Sequence, residues 1–424
     1  MKDDFLKNVL EGIKPTKEED RYEKKLAAKC IKKLQATSKE FIAVLVGSIA
    51  KGTYLRQSTD IDIFLLFDRK KNKNEFEIVV RNCVEEAFPN ERYEISYAEH
   101  PYIKLYYKGK KIDVVPAYRI KNATEMASAV DRSVLHTKYI IKNLKKDMVE
   151  EVLLLKKFLK SNELYGAQIR YEGISGYLCE LLILKYKTFL NTLKNAQNWE
   201  EGTLLQLEKI DKKTEIDRIR KKFNAPLIFI DPTDRNRNVA AAFSLNNFKI
   251  FKKLTKKFLK NPTKRFFDDP QTFEQKLAKM KAKYEHIYEL EILKPDLNED
   301  ILWGQIKRSE KLLNNYLRQN GFKTLQSLID VNENKIRIIL RLKEKELSKF
   351  RIMIGPEIKR KEHLRDFKKA HAKSRMFIEA GRIKAEVKRK IRNIEIALRL
   401  FLPQLDRIKN FKNLDKKIIE IRKN

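Results

Sequence analysis

The stretch Val46-Gly47-Ser48-Ile49-Ala50-Lys51-Gly52-Thr53, followed by Ser58-Thr59-Asp60-Ile61-Asp62-Ile63-Phe64, decides how the rest of the chain is read. Phe41–Val46 is a short apolar run that reads as a strand, and Gly47-Ser48 breaks it. Asp60–Phe67 reads as a second strand. Residues two apart on a strand share a face, so Asp60 and Asp62 point one way while Ile61 and Ile63 point into a core. Two carboxylates on one side of a rigid strand repel each other unless a cation neutralises them, and hard oxygen ligands favour Mg²⁺. A third acid stands in Lys111-Ile112-Asp113-Val114-Val115-Pro116. Tyr102–Tyr107 and Lys111–Val115 are strand-like runs separated by Lys108-Gly109-Lys110, a hairpin signal. If the second arm lies beside Asp60–Phe67, three carboxylates converge and can hold two Mg²⁺ ions, the arrangement of two-metal nucleotidyl transfer. Gly47 permits close backbone approach, and the N–H groups at the helix start that follows suit a phosphate. Ser48 adds a hydroxyl donor there and Lys51 a mobile positive charge. Asp-x-Asp alone also reads as surface charge in an acidic loop. The order Gly-Ser, then Asp-x-Asp on an apolar strand, then a third strand Asp makes the signal specific.

Outward from this motif, residues 16–37 read as a charged helix with Leu26, Ala27, Cys30, Ile31 and Leu34 at helical spacing. Residues 74–88 resume helix periodicity. From about 138 to 193 the pattern is helical, with Val152, Leu155, Phe158 and Leu159 on one face and one long apolar helix expected from near Ser175. Leu227–Ile230 reads as a strand, and Ser244 as the N-cap of a helix through Leu259. In the last third, Tyr288, Leu290 and Ile292 have period two, Trp303, Ile306, Leu313 and Leu317 helix period, and Ile336–Leu342 and Ile383–Val387 period two again. A final helix covers Ile394–Leu402. This alternation suggests a small α+β domain, ferredoxin-like or RRM-like.

The chain has 424 residues, too many for one ordinary core, so two to four domains are expected. Lys and Arg number 93 against 58 Asp and Glu, a net charge of +35, and such a surface attracts polyanions. The longest apolar runs are far shorter than the ~20 residues a membrane span needs. Met1-Lys2-Asp3-Asp4 is charged and no secretory signal follows. Three scattered cysteines, Cys30, Cys83 and Cys179, without C-x-x-C spacing, argue against a disulfide scaffold or a cysteine zinc site and suit the cytoplasm.

Gly47–Phe67 resembles the DNA polymerase β-like nucleotidyltransferase superfamily, and within it the chain is similar to class I, archaeal CCA-adding enzymes. Several further stretches carry this: Lys111–Tyr118, Ser128-Ala129-Val130-Asp131-Arg132-Ser133 with His136, Leu164-Tyr165-Gly166-Ala167, Gly173–Leu182, Asp231–Ala240, Lys294-Pro295-Asp296 and Gly355-Pro356. The resemblance implies an α+β protein in three parts. These are a nucleotidyltransferase palm over 1–137, a helical central domain over 138–262 that completes the nucleotide pocket, and a basic α+β tRNA-binding tail over 263–424.

It also implies a function: addition or repair of the 3′-terminal CCA of tRNA from CTP and ATP, releasing pyrophosphate. Asp60, Asp62 and Asp113 would be the catalytic metal ligands, for two Mg²⁺ ions. Gly47, Ser48 and Lys51 would bind triphosphate, His136, Lys156 and Tyr165 would lie along the nucleotide's phosphates and sugar, and Arg237 would read the base. Without the resemblance, His136 reads as a helix-start histidine, Lys156 as a solvated lysine and Tyr165 as a helix cap, and Arg235 competes with Arg237. The expected partner is the acceptor stem and T-arm of tRNA, gripped by shape and phosphates through a basic field that includes Lys359-Arg360-Lys361, Lys368, Lys369, Lys373, Arg375, Arg382, Lys384 and Lys388–Lys390. Family members often form homodimers. The sequence departs from the family at Asp60, where many relatives carry Glu, and at Lys51, where they often have Arg. Two rival functions remain open at this point: a terminal adenylyl- or uridylyltransferase acting on other RNA, and a non-catalytic tRNA-binding protein.

Overall fold

A computed structural model of the chain describes residues 2–56, 60–97, 100–208 and 213–421; Ser58 and Thr59 of the opening motif lie outside the described residues. The chain forms two compact units, Met1–Pro270 and Gln271–Asn424.

The first unit opens with helices α1 (Lys2–Ile13) and α2 (Lys17–Thr37). Thr16 and Glu19 close a capping box at the start of α2, and Leu26, Ala27, Cys30 and Leu34 form its buried stripe. Next come β1 (Phe41–Val46), the short α3 (Gly47–Lys51), β2 (Asp60–Phe67), α4 (Phe76–Ala87), β3 (Tyr93–Tyr97), β4 (Pro101–Tyr107) and β5 (Lys110–Tyr118). Lys108 and Gly109 both have positive φ, 52° and 71°, as a two-residue hairpin turn between β4 and β5 requires. The five strands make one sheet in the order β1-β2-β5-β4-β3. All neighbours are antiparallel except β2 and β5. Ile61, Ile63, Leu65 and Phe67 pack with α2 and α4 on one face, while Phe64 and Leu66 pack with Val134 of α5 (Arg132–Asn143) on the other.

A second core is helical: α6 (Lys146–Ser161), α7 (Gly176–Tyr186), α8 (Phe189–Ala196), later α10 (Leu245–Lys260), and α1. The single long helix expected from near Ser175 is two. Lys187 takes φ 73° and stops α7, and Thr188 caps α8 anew. Ser244 caps α10 as read from sequence. Between α8 and α10 lie β6 (Thr203–Leu205), α9 (Lys213–Phe223), β7 (Leu227–Asp231) and β8 (Asp234–Asn238). Phe267 is buried in the helical core, so this unit continues past residue 262, and α5 runs unbroken across 137.

The second unit runs α11 (Phe273–Lys283), β9 (Ile287–Leu293), α12 (Glu299–Gln319), β10 (Thr324–Val331), β11 (Lys335–Leu342), β12 (Phe350–Glu357), α13 (Lys361–Ala370), β13 (Arg375–Glu379), β14 (Arg382–Lys388), α14 (Ile394–Phe401) and β15 (Lys416–Ile421). One antiparallel sheet has the order β10-β11-β9-β15, with α12 and α14 contributing to its core. The path β9–α12–β10–β11–α14–β15 with that order is the ferredoxin-like arrangement expected. The run at Ile383–Val387 does not join it. It is β14, the middle of a separate sheet β12-β14-β13 inserted between β11 and α14.

Candidate active site

The parallel pairing of β2 with β5 sets the acids. Its register puts Asp62 directly opposite Asp113 and Asp60 opposite Lys111. Asp62 is half-buried, and desolvation together with the charges of Asp113 and Asp60 pushes its carboxyl up to about 7. Burial likewise raises Asp113. The Asp113 Oδ1 atom is buried without a hydrogen-bond partner. Asp60 is more exposed, and Lys111 Nζ reaches it at 3.2 Å and Asp113 at 3.7 Å. Among the described residues, no three acid, Cys or His groups already stand at metal-binding spacing. The donor set nevertheless fits a divalent cation: a carboxylate whose charge burial and neighbouring acids disfavour, a second one opposite it whose buried Oδ1 makes no hydrogen bond, and a third acid paired with a lysine.

Gly47 is dictated twice. Its φ is 73°, and a Cβ there would overlap the Asp62 carboxylate. The strand can therefore turn into α3 while Asp62 lies against the turn. Gly47, Lys51, Asp62, His136 and Tyr177 line one cavity of 220 Å³. Ser48 lies beside it in α3 and makes no side-chain hydrogen bond among the described residues.

Two fully buried acids organise the cations around this cavity. Asp231, at the end of β7, is the first. His136 of α5 contacts it through Nε2 at 2.8 Å, Arg237 Nη1 of β8 donates to it at 2.8 Å, and the Tyr177 hydroxyl of α7 donates at 3.1 Å. Burial alone would raise the Asp231 carboxyl, but the bonds from His136, Thr233 and Arg237 outweigh it and hold it well below the usual range. Burial lowers His136, so the ring is neutral at pH 7, and the Nε2–H tautomer is the one that donates to Asp231. The ring stacks on Tyr177 at 3.8 Å.

Glu180 of α7 is the second. Lys51 Nζ lies 2.7 Å from one oxygen and Lys156 Nζ 3.3 Å from the other. The pull of Lys156 and Lys51 outweighs burial and keeps Glu180 below the ordinary carboxylate range. Lys156 is thus buried and paired, not solvated. Tyr165 is half-buried against the helical core, with its hydroxyl close to Gly176.

Lys51 and His136 therefore meet Asp62 around one cavity, with Arg237 joined to His136 through Asp231, while Lys156 and Tyr165 lie behind it. Arg235 pairs instead with exposed Glu208. The sequence reading missed Glu180, Asp231 and Tyr177 as site members. Each stood in a stretch that carried the family resemblance, but an acid inside an apolar helix such as Tyr177–Leu184 was the available signal for Glu180. Asp131, in another such stretch, is structural. Its carboxylate accepts from the backbone of Tyr118, Ala127 and Ser128 and clasps the loop before α5.

A mixed sheet presenting paired acids next to a glycine turn at a helix start is the palm of a nucleotidyltransferase. Family models agree along the chain: a nucleotidyltransferase domain at residues 25–155, the second domain of tRNA nucleotidyltransferases at 150–268, and the C-terminal domain of CCA-adding enzymes at 285–407. The CCA-adding enzyme of Methanocaldococcus jannaschii is 38% identical, covering 88% of this chain and 84% of its own. That of Archaeoglobus fulgidus is 33% identical over 94% and 89%, and that of Methanothermobacter thermautotrophicus 34% over 98% and 91%. The chain belongs to the CCA-adding enzyme family. A solved RNA terminal uridylyl transferase, 14% identical, superposes with a TM-score of 0.50 over 64% of this chain and 98% of its own, which shows a shared fold alone. Among the described residues, no helix is long and apolar enough to cross a membrane.

Proposed function

We infer that this enzyme builds or repairs the 3′-terminal CCA of tRNA, adding nucleotides from CTP and ATP with release of pyrophosphate. The observation that carries this reading is the Asp62–Asp113 register of β2 and β5, beside a cavity walled by Gly47, Lys51 and His136. Asp60, Asp62 and Asp113 would hold the divalent metal, as two Mg²⁺ ions, which would supply charge neutralisation for the triphosphate and lower the pKa of the attacking 3′-hydroxyl. Gly47 and Ser48 present the start of α3 to the phosphates, and Lys51 adds a donor from the cavity wall. Lys156 contributes charge from behind Lys51, and Tyr165 closes that side. Neutral His136 lies along the nucleotide without adding charge. Arg237, its plane fixed by Asp231, reads the incoming base with the outer edge of its guanidinium. Positioning and electrostatics carry the catalysis.

The functional parts are a palm and a pocket-completing region within Met1–Pro270, in place of a boundary at 262, and an RNA-binding tail over Gln271–Asn424. The tail grips the acceptor stem and T-arm through Lys359, Arg360, Lys361 and neighbours, which are exposed. A homodimer is tested by sedimentation at assay concentration. The deciding experiment supplies each nucleotide separately, then CTP with ATP, to tRNA lacking CCA. Two C additions followed by one A, then arrest, are expected. Unlimited addition of one base would make the chain a terminal adenylyl- or uridylyltransferase instead.

A further inference from the structure

Glu180 is the buried acid that the reaction as described leaves unused. It lies on α7 with no exposed surface and gathers groups from elsewhere in the unit. Lys51 donates to Oε2 at 2.7 Å, Lys156 to Oε1 at 3.3 Å and the Thr53 hydroxyl to Oε1 at 2.5 Å. A carboxylate has about four lone-pair positions, so one Glu can accept all three.

The two lysines are not equivalent. An ammonium has three donors. Lys156 has matched all three, to the Thr53 carbonyl at 2.8 Å, the Thr53 hydroxyl at 3.1 Å and Glu180. It is locked. Among the described residues Lys51 has one hydrogen-bond partner, Glu180, and it lines the cavity together with Gly47 and Asp62. Two of its donors stay open to a ligand there. A purely structural ion cluster has no reason to leave one cation half-engaged on a cavity wall.

We propose that Glu180 is a positioning residue that holds Lys51 at the cavity wall in the empty enzyme and releases it to the incoming triphosphate. This rests on the reading of Lys51 as a triphosphate ligand. Glu180 then competes with phosphate for the same ammonium. The competition weakens nucleotide binding, and in return Lys51 is delivered from one fixed place.

The test is calorimetric titration of the full-length, metal-free protein with inorganic tripolyphosphate, paired with steady-state kinetics. Removing the competitor in Glu180→Gln should tighten tripolyphosphate binding about 5-fold, while kcat falls because Lys51 is no longer fixed. Damage to the fold does not tighten binding. If Glu180→Gln does not fold, Glu180→Asp, one methylene shorter and still charged for Lys156 and Thr53, should shift affinity in the same direction. Unchanged or weaker binding in the folded variant overturns the proposal. Lys51→Met separates the two levels. It should weaken tripolyphosphate binding by itself and abolish the gain from Glu180→Gln in the double variant. A gain that survives in the Lys51→Met background overturns the handover, because it would come from general charge. Unchanged binding in Lys51→Met alone overturns the assignment of Lys51, and the proposal with it.

Discussion

The cavity beside Asp62 in the first unit and the basic surface of the second both present cations, but they hold them in different ways. Around the cavity, cations are anchored by acids with no solvent exposure: Lys51 and Lys156 by Glu180, Arg237 by Asp231. In the second unit Lys359, Arg360, Lys361, Lys368, Lys369, Lys373, Arg375, Lys388 and Lys390 stand in water, and Lys384 and Arg389 are half-buried. A buried cation needs a partner, because desolvation without one costs several kcal/mol, and the partner then fixes its position. An exposed cation needs none and stays mobile. The first arrangement suits chemistry that tolerates little displacement. The second suits attraction to a long polyanion, where many weak contacts add.

Four experiments probe this contrast. The largest effect is expected at the acids of the sheet. Asp62→Asn should lower incorporation of CTP and of ATP by about 10³-fold while tRNA affinity stays within about 2-fold, because it removes a metal-binding charge and nothing from the second unit. Parallel loss of tRNA binding in a filter-binding assay would erase the division of labour. Next is the anchor of Arg237. Asp231→Ala leaves the half-buried Arg237 guanidinium, His136 and the Tyr177 hydroxyl without their shared acceptor and should cost about 2 kcal/mol, read as a shift in the urea midpoint of the first unit. A midpoint within error of the unsubstituted protein would mean that the buried acid is not what holds this cluster together.

Arg237→Ala should do less to the fold, since Asp231 keeps His136, Tyr177 and Thr233. Its effect should appear in selection, with the preference for CTP and ATP over UTP and GTP falling about 10-fold in competition assays. Intact selectivity would remove Arg237 as base reader. The smallest effect belongs to the exposed charges. Replacing Lys359, Arg360 and Lys361 together by Gln should weaken tRNA binding about 5-fold at moderate salt and flatten its log–log salt dependence by about 2, with kcat at saturating tRNA unchanged. A fall in kcat would show that these residues do more than attract.

Reading the strands from sequence succeeded at the centre of each sheet and failed at the rims. β2, β5 and β4, β9 and β11, β14 and β7 are interior strands, or next to interior ones, and each was marked by an apolar run or by period two. The strands not read, β3, β10, β12, β13, β15, β6 and β8, are all sheet edges. An edge strand has one neighbour, keeps much of its surface in water and carries charge there, as Lys417 does in β15, so its composition is closer to that of a loop. Of the edges, only β1 was legible, because Phe41, Ala43 and Val46 are buried. The same logic divides the site. Asp60, Asp62 and Asp113 stood out as acids in apolar strands, whereas Glu180 and Asp231 became site members only through partners far away in sequence.

Local sequence was enough to set the alternation that puts both acids of β2 on one face, the glycine that lets the chain turn beside them, and the overall excess of positive charge, because period, backbone freedom and charge belong to single segments. It took the assembled fold to pair β5 parallel to β2 with Asp113 opposite Asp62, and to tether Lys51, Lys156, His136 and Arg237 through two buried carboxylates. Those are relations between residues dozens of positions apart, and what fixes them is the pairing of strands and the need of a buried charge for a partner, neither of which any single segment contains.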